Sequence, residues 1–301
     1  MIEPLSPDLV RVLKRIPEWA GRDDLVLERV GGLTNVNYRV RAKGDEAFLR
    51  VSGRNTAWLG IDRALEYQVL KLASAAGIGP QVRHFLLPEG HMVTLPIRGR
   101  EWSFEDYATP ETLGRVVATV KRIHALPTVR ASFSPFRCIQ SYGAYAETLG
   151  VKLPADFARF RERLAEIQAE QRRDPDRRVC CCHNDLYAWN LLDDGSVRVL
   201  DWEFAGMGDP YYDLATLVYC HDSEGPLPPE LQDELLRAYF GKVTPSRRSR
   251  LQGMLFVLNL FTAMWGFLHG GLVRVGLVQA VEDFDYLEYG QNTLEAVRAC
   301  L

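Results

Sequence analysis

Surplus positive charge is missing from this 301-residue chain: 36 Lys and Arg stand against 39 Asp and Glu, a formal charge of −3. That balance gives no electrostatic footing for nucleic-acid binding. Short basic clusters at Arg172-Arg173, Arg177-Arg178 and between Arg247 and Arg250 are interrupted by acids or turns and read as solvated faces. Cysteine is scarce as well. Six, irregularly placed, make no disulfide framework, which fits a reduced, cytoplasmic setting. Cys180-Cys181-Cys182 does not suggest a metal site, because adjacent strand side chains point to opposite faces and no second Cys/His pair has ligand spacing. The three read as small, buried strand residues. The start, MIEPLSPDLVRVLK, lacks the apolar core of a signal peptide. The one long apolar run, Met254 to Val273, carries Asn259, Thr262, His269 and three glycines. It is expected as a buried helix, with no stable membrane insertion.

What is present is ordinary for a globular protein, 47% hydrophobic and 25% charged, and long enough for two lobes. Ser6-Pro7 opens a helix, and Leu25 to Val30 and Val36 to Arg41 read as strands. Between those strands, Gly31-Gly32-Leu33-Thr34-Asn35 offers backbone N–H groups for close approach to a phosphate. The chain turns at Lys43-Gly44-Asp45 and returns as Ala47 to Ser52, with Arg50 roughly opposite Tyr38. A helix from about Asp62 to Ala76 is expected to bury Leu65, Val69, Leu72 and Ala76. Glu66 lies beside that stripe, next to Arg63 one turn back. After strands at Val82 to Leu87 and His91 to Leu95, the pattern turns from period two to helical, marking a boundary near 97–103. Helices are expected at Pro110 to Leu126, 139–149 and 155–171, and the last hundred residues are helical and aromatic.

The most demanding stretch is HNDLYAWNLLDDGSVRVLDWE, His183 to Glu203. Leu191-Leu192 and Val197 to Leu200 flank Asp194-Gly195, a hairpin turn that brings Asn190 and Asp201 side by side. Their oxygens suit one hard cation such as Mg²⁺, while Asp185 supplies a base. That inventory suits phosphoryl transfer.

With its H-x-D-x-x-x-x-N plus Asp spacing, the stretch resembles the catalytic core of protein-kinase-like small-molecule kinases, the choline/ethanolamine kinase and aminoglycoside phosphotransferase superfamily. The D-W-E at 201–203, the string GGLTNVNYRV and Arg50 in place of the usual strand lysine resemble choline kinases in particular. The resemblance implies an α+β, bilobal protein-kinase-like fold: a small antiparallel β-sheet lobe with one helix over residues 1–97, and a larger, mainly helical lobe over 98–301. It implies ATP and Mg²⁺, with Asp185 as catalytic base and Asn190 and Asp201 on metal. Gly31, Gly32, Thr34, Asn35 and Arg50 match the phosphate side, Glu66 the partner of Arg50, and Leu95 and Ile97 the adenine hinge. Asp213 resembles the structural Asp that braces the catalytic loop. FTAMWGFLHGGL and EDFDYLEYGQ resemble the choline-kinase C-terminus and place Trp265, Tyr289 and Glu203 around an amino-alcohol acceptor. Leu268 departs from it, standing where a second tryptophan is common. Only eleven residues separate Asp201 from Asp213 and no A-P-E follows, so a small-molecule acceptor is favoured over a peptide. Choline or ethanolamine kinase is the first reading. A kinase for another hydroxylated compound (aminoglycoside, thiamine, sugar or homoserine) or an inactive nucleotide-binding module are the alternatives.

Overall fold

The computed structural model describes residues 6–32, 34–175, 177–219, 226–281 and 284–299; Leu33 of the glycine loop and Glu282-Asp283 of the C-terminal stretch lie outside them. The chain begins with α1 (Pro7–Lys14), capped by the Ser6 hydroxyl, which accepts from the Leu9 N–H. An antiparallel five-stranded sheet follows, built from β1 (Val26–Arg29), β2 (Val36–Ala42), β3 (Asp45–Val51), β4 (Val82–Leu86) and β5 (His91–Thr94) in the order β1-β2-β3-β5-β4. Arg50 sits opposite Asn37, one residue from the expected register, because the turn is closed by Ala42 and Asp45 rather than farther along. One face of this sheet packs with α1 around Leu9, Leu13, Ile16, Trp19, Leu49 and Val93.

Between β3 and β4, α2 (Arg63–Ala75) starts at an Asp62 cap that accepts from the Ala64 and Leu65 N–H groups. Its buried face is Arg63, Glu66, Val69, Leu70 and Ala73, not the stripe through Leu65, Leu72 and Ala76. The helix is rotated because two of its charged residues have partners inside. Its apolar side joins the larger core, and Ile78 just beyond it accepts from the Val199 N–H. Hydrophobic packing therefore ties this helix to the residues that follow the boundary, while Tyr67 stacks on Phe85 of β4.

Past β5 come β6 (Arg100–Glu101), α3 (Phe104–Tyr107), α4 (Pro110–His124), α5 (Pro135–Thr148) and α6 (Phe157–Arg173). Ser134 and Pro135 start α5 earlier than periodicity alone suggests, as cap and first-turn proline. Then β7 (Cys180–Cys182) enters the catalytic segment, and β8 (Leu191–Asp193) and β9 (Val197–Val199) form the expected hairpin. β6 pairs with β8, so residue 100 already belongs to the larger lobe's sheet. β10 (Gly206–Gly208) returns antiparallel to β7. Among the described residues, four helices follow: α7 (Pro210–Val218), α8 (Pro229–Phe240), α9 (Pro245–Arg274) and α10 (Tyr286–Ala299). By length and composition α9 could cross a bilayer, yet 83% of its most apolar window is buried against other elements. The architecture is the bilobal α+β kinase-like fold anticipated from the sequence.

Candidate active site

β7 delivers the chain to His183, whose ring organises the next turn. Its Nδ1 accepts from the Asp185 N–H at 3.2 Å, so Nε2 carries the proton and donates to the Leu200 carbonyl at 2.8 Å. Burial keeps this imidazole neutral, with a pKa down at about 4. Beneath the turn, Asp213 of α7 accepts from the His183 N–H at 2.9 Å, the Asn184 N–H at 2.6 Å and His124 Nε2 at 2.9 Å. Asp213 is thus a brace, and His124 supports it. Asn184 takes a left-handed backbone (φ 67°) and donates its amide to the Phe204 carbonyl.

That braced turn presents Asp185 to the hairpin. The Asn190 amide nitrogen donates to Asp185 Oδ2 at 2.9 Å and to its carbonyl at 2.8 Å, which leaves the Asn190 amide oxygen on the far side. The Leu200 N–H donates to the Asn190 carbonyl, bringing Asp201 beside Asn190 at the open end of the hairpin. Asp201 also has positive φ, 56°, a conformation held only by its surroundings. Although 38% of its side chain reaches solvent in the cleft, Oδ1 is shut away and has no hydrogen-bond partner among the described residues. Burial and Glu203 push its pKa up to about 7 against the pull of Arg50. Burial, then Asp201 and Glu203, also raise Asp185 well above the usual carboxylate range, with the Asn190 hydrogen bond opposing.

Opposite this group, Arg50 of β3 is ion-paired with Glu66 of α2 and lies 3.6 Å from Asp201 Oδ1. A second guanidinium, Arg63, was invisible as a site residue in the sequence, where it passes for an exposed partner of Glu66. It is buried. Its Nη1 donates to Glu66 Oε2 at 2.7 Å and to Glu203 Oε2 at 2.9 Å, and its Nη2 to Asn35 Oδ1 at 3.0 Å. Gly90 makes room for it, since a Cβ there would stand 2.4 Å from Arg63 Cδ. The Asn35 amide nitrogen in turn donates to Glu203 Oε2 at 2.8 Å. Asn35 and Glu203, expected respectively near phosphate and near the acceptor, thus have side chains engaged with each other and with Arg63.

Two guanidinium groups here face four carboxylates, those of Glu66, Asp185, Asp201 and Glu203. The deficit of positive charge, the orphaned Asp201 oxygen and the outward amide oxygen of Asn190 fit a hard divalent cation held by Asn190 and Asp201.

The glycine loop closes over the same side. Gly31 and Gly32 adopt φ of 95° and 116°, and a Cβ on Gly32 would collide with the Asn35 carbonyl at 2.0 Å, so the turn requires glycine. Thr34 is half-buried, its carbonyl against Gly53. At the expected hinge the Leu95 N–H is engaged by the Gln81 carbonyl, and the Ile97 carbonyl accepts from Gly99. Leu95 therefore has only its carbonyl to offer a ligand.

On the side expected for the acceptor, Trp265 of α9 packs against His269 (ring centroids 4.0 Å apart), Tyr286 (5.6 Å) and Tyr289 (6.1 Å). Tyr187, two residues after Asp185, is buried beside the catalytic turn, stacked on Trp189 at 4.6 Å and edge-on to Tyr219 at 6.0 Å. Sequence reasoning passed over Tyr187; its place in H-N-D-L-Y was the available signal. Leu268 is fully buried in the core, one turn from Trp265 and turned away from solvent.

Comparison with known proteins bears on the family and the fold. Residues 26–251 match the model of the phosphotransferase enzyme family. Protein LicA of Haemophilus influenzae is 27% identical over 228 residues, 74% of this chain but 65% of LicA, so the chain spans less than two thirds of that relative. The probable ethanolamine kinase A of Dictyostelium discoideum is 24% identical, with 92% of this chain and 86% of that protein covered. The crystal structure of a choline/ethanolamine kinase family protein from Mesorhizobium loti superposes with a TM-score of 0.75 at 28% identity, covering 97% and 93% of the two chains. A family match across most of the chain, on a fold shared with choline/ethanolamine kinases, establishes that the chain belongs to the phosphotransferase enzyme family.

Proposed function

We propose that the chain transfers the γ-phosphoryl group of ATP, with Mg²⁺, to the hydroxyl of a small amino alcohol, most simply choline or ethanolamine, in a cytoplasmic setting. The observation that carries this reading is the meeting of Asp185, Asn190 and Asp201 between a buried Arg50–Glu66 pair and an aromatic wall. Asn190 and Asp201 would hold the metal, which neutralises charge on the transferring group when bound. Arg50 faces the nucleotide phosphates with a fork of donors that stays protonated at any working pH. Gly31, Gly32 and Thr34 line the phosphate side through the backbone, and the Leu95 and Ile97 region takes the base. Asn35 serves by anchoring that loop to Glu203.

Asp185 accepts the proton of the acceptor hydroxyl as it attacks. The Asn190 amide that donates to Oδ2 fixes the orientation of this carboxylate. Trp265 and Tyr289 offer π-faces to a cationic amine, which needs no hydrogen-bond acceptor when quaternary. Glu203 adds negative charge nearby. The segment from Asp201 to Asp213 is taken up by β10 and the start of α7, leaving no long platform for a peptide.

An ATP-consumption panel over choline, ethanolamine, amino sugars and neutral sugars, with and without Mg²⁺, tests the proposal. Turnover should require Mg²⁺ and be greatest with choline or ethanolamine. Preference for an amino sugar or sugar would replace the acceptor assignment. Normal ATP affinity with no acceptor would point to a binding module.

A further inference from the structure

The alternation that separates Cys181 from its neighbours puts Cys180 and Cys182 on one face of β7. Their sulfurs lie 3.8 Å apart, both thiols are free, and a ring nitrogen of His124 lies within 4.8 Å of both. The third ligand comes from α4, more than fifty residues away, which is why no ligand spacing appears in the sequence. Two sulfurs bound at about 2.3 Å to a tetrahedral zinc stand about 3.8 Å apart, so the pair is already at chelating distance.

His124 is prepared in the same sense. Its Nε2–H donates to Asp213, so Nδ1 keeps its lone pair and accepts from the Tyr239 hydroxyl at 2.6 Å. A carboxylate holding the distal N–H is the usual outer partner of a metal-ligating histidine. We infer that Cys180, Cys182 and His124 form a binding site for one thiophilic divalent cation, of the zinc or cadmium class, behind the catalytic turn. The Tyr239 hydroxyl, which the Arg178 guanidinium also contacts at 2.6 Å, gives up Nδ1 to the ion, and water takes the fourth position.

On binding, two S–H bonds break, two metal–sulfur bonds form and both protons pass to solvent; no oxidant takes part. A dication with two thiolates is neutral, which suits a site whose sulfurs are 9% exposed or less at the residue level. Asp213, which orients His124, also holds the turn at His183-Asn184, so the site adjoins the catalytic turn.

The test is a Cd²⁺ titration of the reduced full-length protein in excess Mg²⁺, which occupies oxygen-rich sites. It follows the ultraviolet thiolate-to-cadmium charge-transfer band and proton release, with Zn²⁺ as competitor. One ion per chain and two protons per ion are expected. Cys180→Ser should weaken binding about a hundredfold, while Cys181→Ser and Cys138→Ser should leave it unchanged. Cys180 is the most exposed of the three, so its variant decides the matter even where Cys182→Ser fails to fold. Stoichiometric binding that survives Cys180→Ser, equal loss in Cys181→Ser, or no thiolate band at all would overturn the inference.

Discussion

Around Asp213, one carboxylate takes three N–H groups at 2.6 to 2.9 Å, whereas along α9 and α10 rings meet at centroid distances of 4.0 to 6.1 Å and angles from 13° to 84°. The catalytic turn is fixed by directional bonds in which each residue type is needed for its atoms. The aromatic wall is fixed by shape and area, which several ring combinations can satisfy. Chemistry that must place an oxygen within fractions of an ångström sits on the first kind of framework. Recognition of a rounded cation can rest on the second.

Variants can break this comparison, starting where the effect is largest. Asp185→Asn removes the base while keeping the Asn190 contact sterically possible. Turnover should fall by about 10²–10⁴-fold with nucleotide affinity nearly intact, read by steady-state kinetics and equilibrium nucleotide binding. Arg63→Gln leaves Glu66 and Glu203 facing each other without their shared cation. Unfolding in urea should register a loss of about 3–5 kcal/mol, and Arg63→Lys should recover only part, since an ammonium lacks the planar fork that reaches Glu66, Glu203 and Asn35 from two nitrogens.

On the softer side, Trp265→Ala should raise KM for a quaternary amine about tenfold and leave kcat close to normal. An equal fall in kcat would mean the wall positions the hydroxyl as tightly as the turn does. The smallest effect concerns protons. His183 and His269 are both held neutral by burial, with pKa values down at about 4 against 6.5 when unfolded. The unfolded chain therefore binds more protons between those values. Stability from these groups is full above pH 6.5 and declines as pH falls toward 4. His269→Gln, in the wall, should flatten that acid limb in thermal melts across pH 4–7, and a steeper limb would contradict the assignment.

What the sequence made legible follows the same division. Asp185, Asn190 and Asp201 are close in the chain, and a hairpin turn at Asp194-Gly195 is a local device, so their convergence could be read directly. The fold was legible too, through the family resemblance that those motifs carry. Arg63 was not, because a buried arginine and a surface arginine three residues from a glutamate look alike until Asn35 and Glu203 are brought in from other segments. The rotation of α2 escaped for the same reason: its inward face is set by charge pairing, which hydrophobic periodicity cannot register. The register at Arg50 slipped by one residue because turn length, which fixes pairing, was misjudged. Cys180 and Cys182 were read as the buried strand residues they are, but their meeting with His124 depends on how α4 crosses β7.

The most direct examination of the central claim is a crystal structure with Mn²⁺, a non-hydrolysable ATP analogue and choline, the ion located by anomalous scattering. The account predicts Mn²⁺ bonded to the side-chain oxygens of Asn190 and Asp201, with the choline hydroxyl in hydrogen-bond reach of Asp185. An ion bound elsewhere, or a hydroxyl directed away from Asp185, would contradict it.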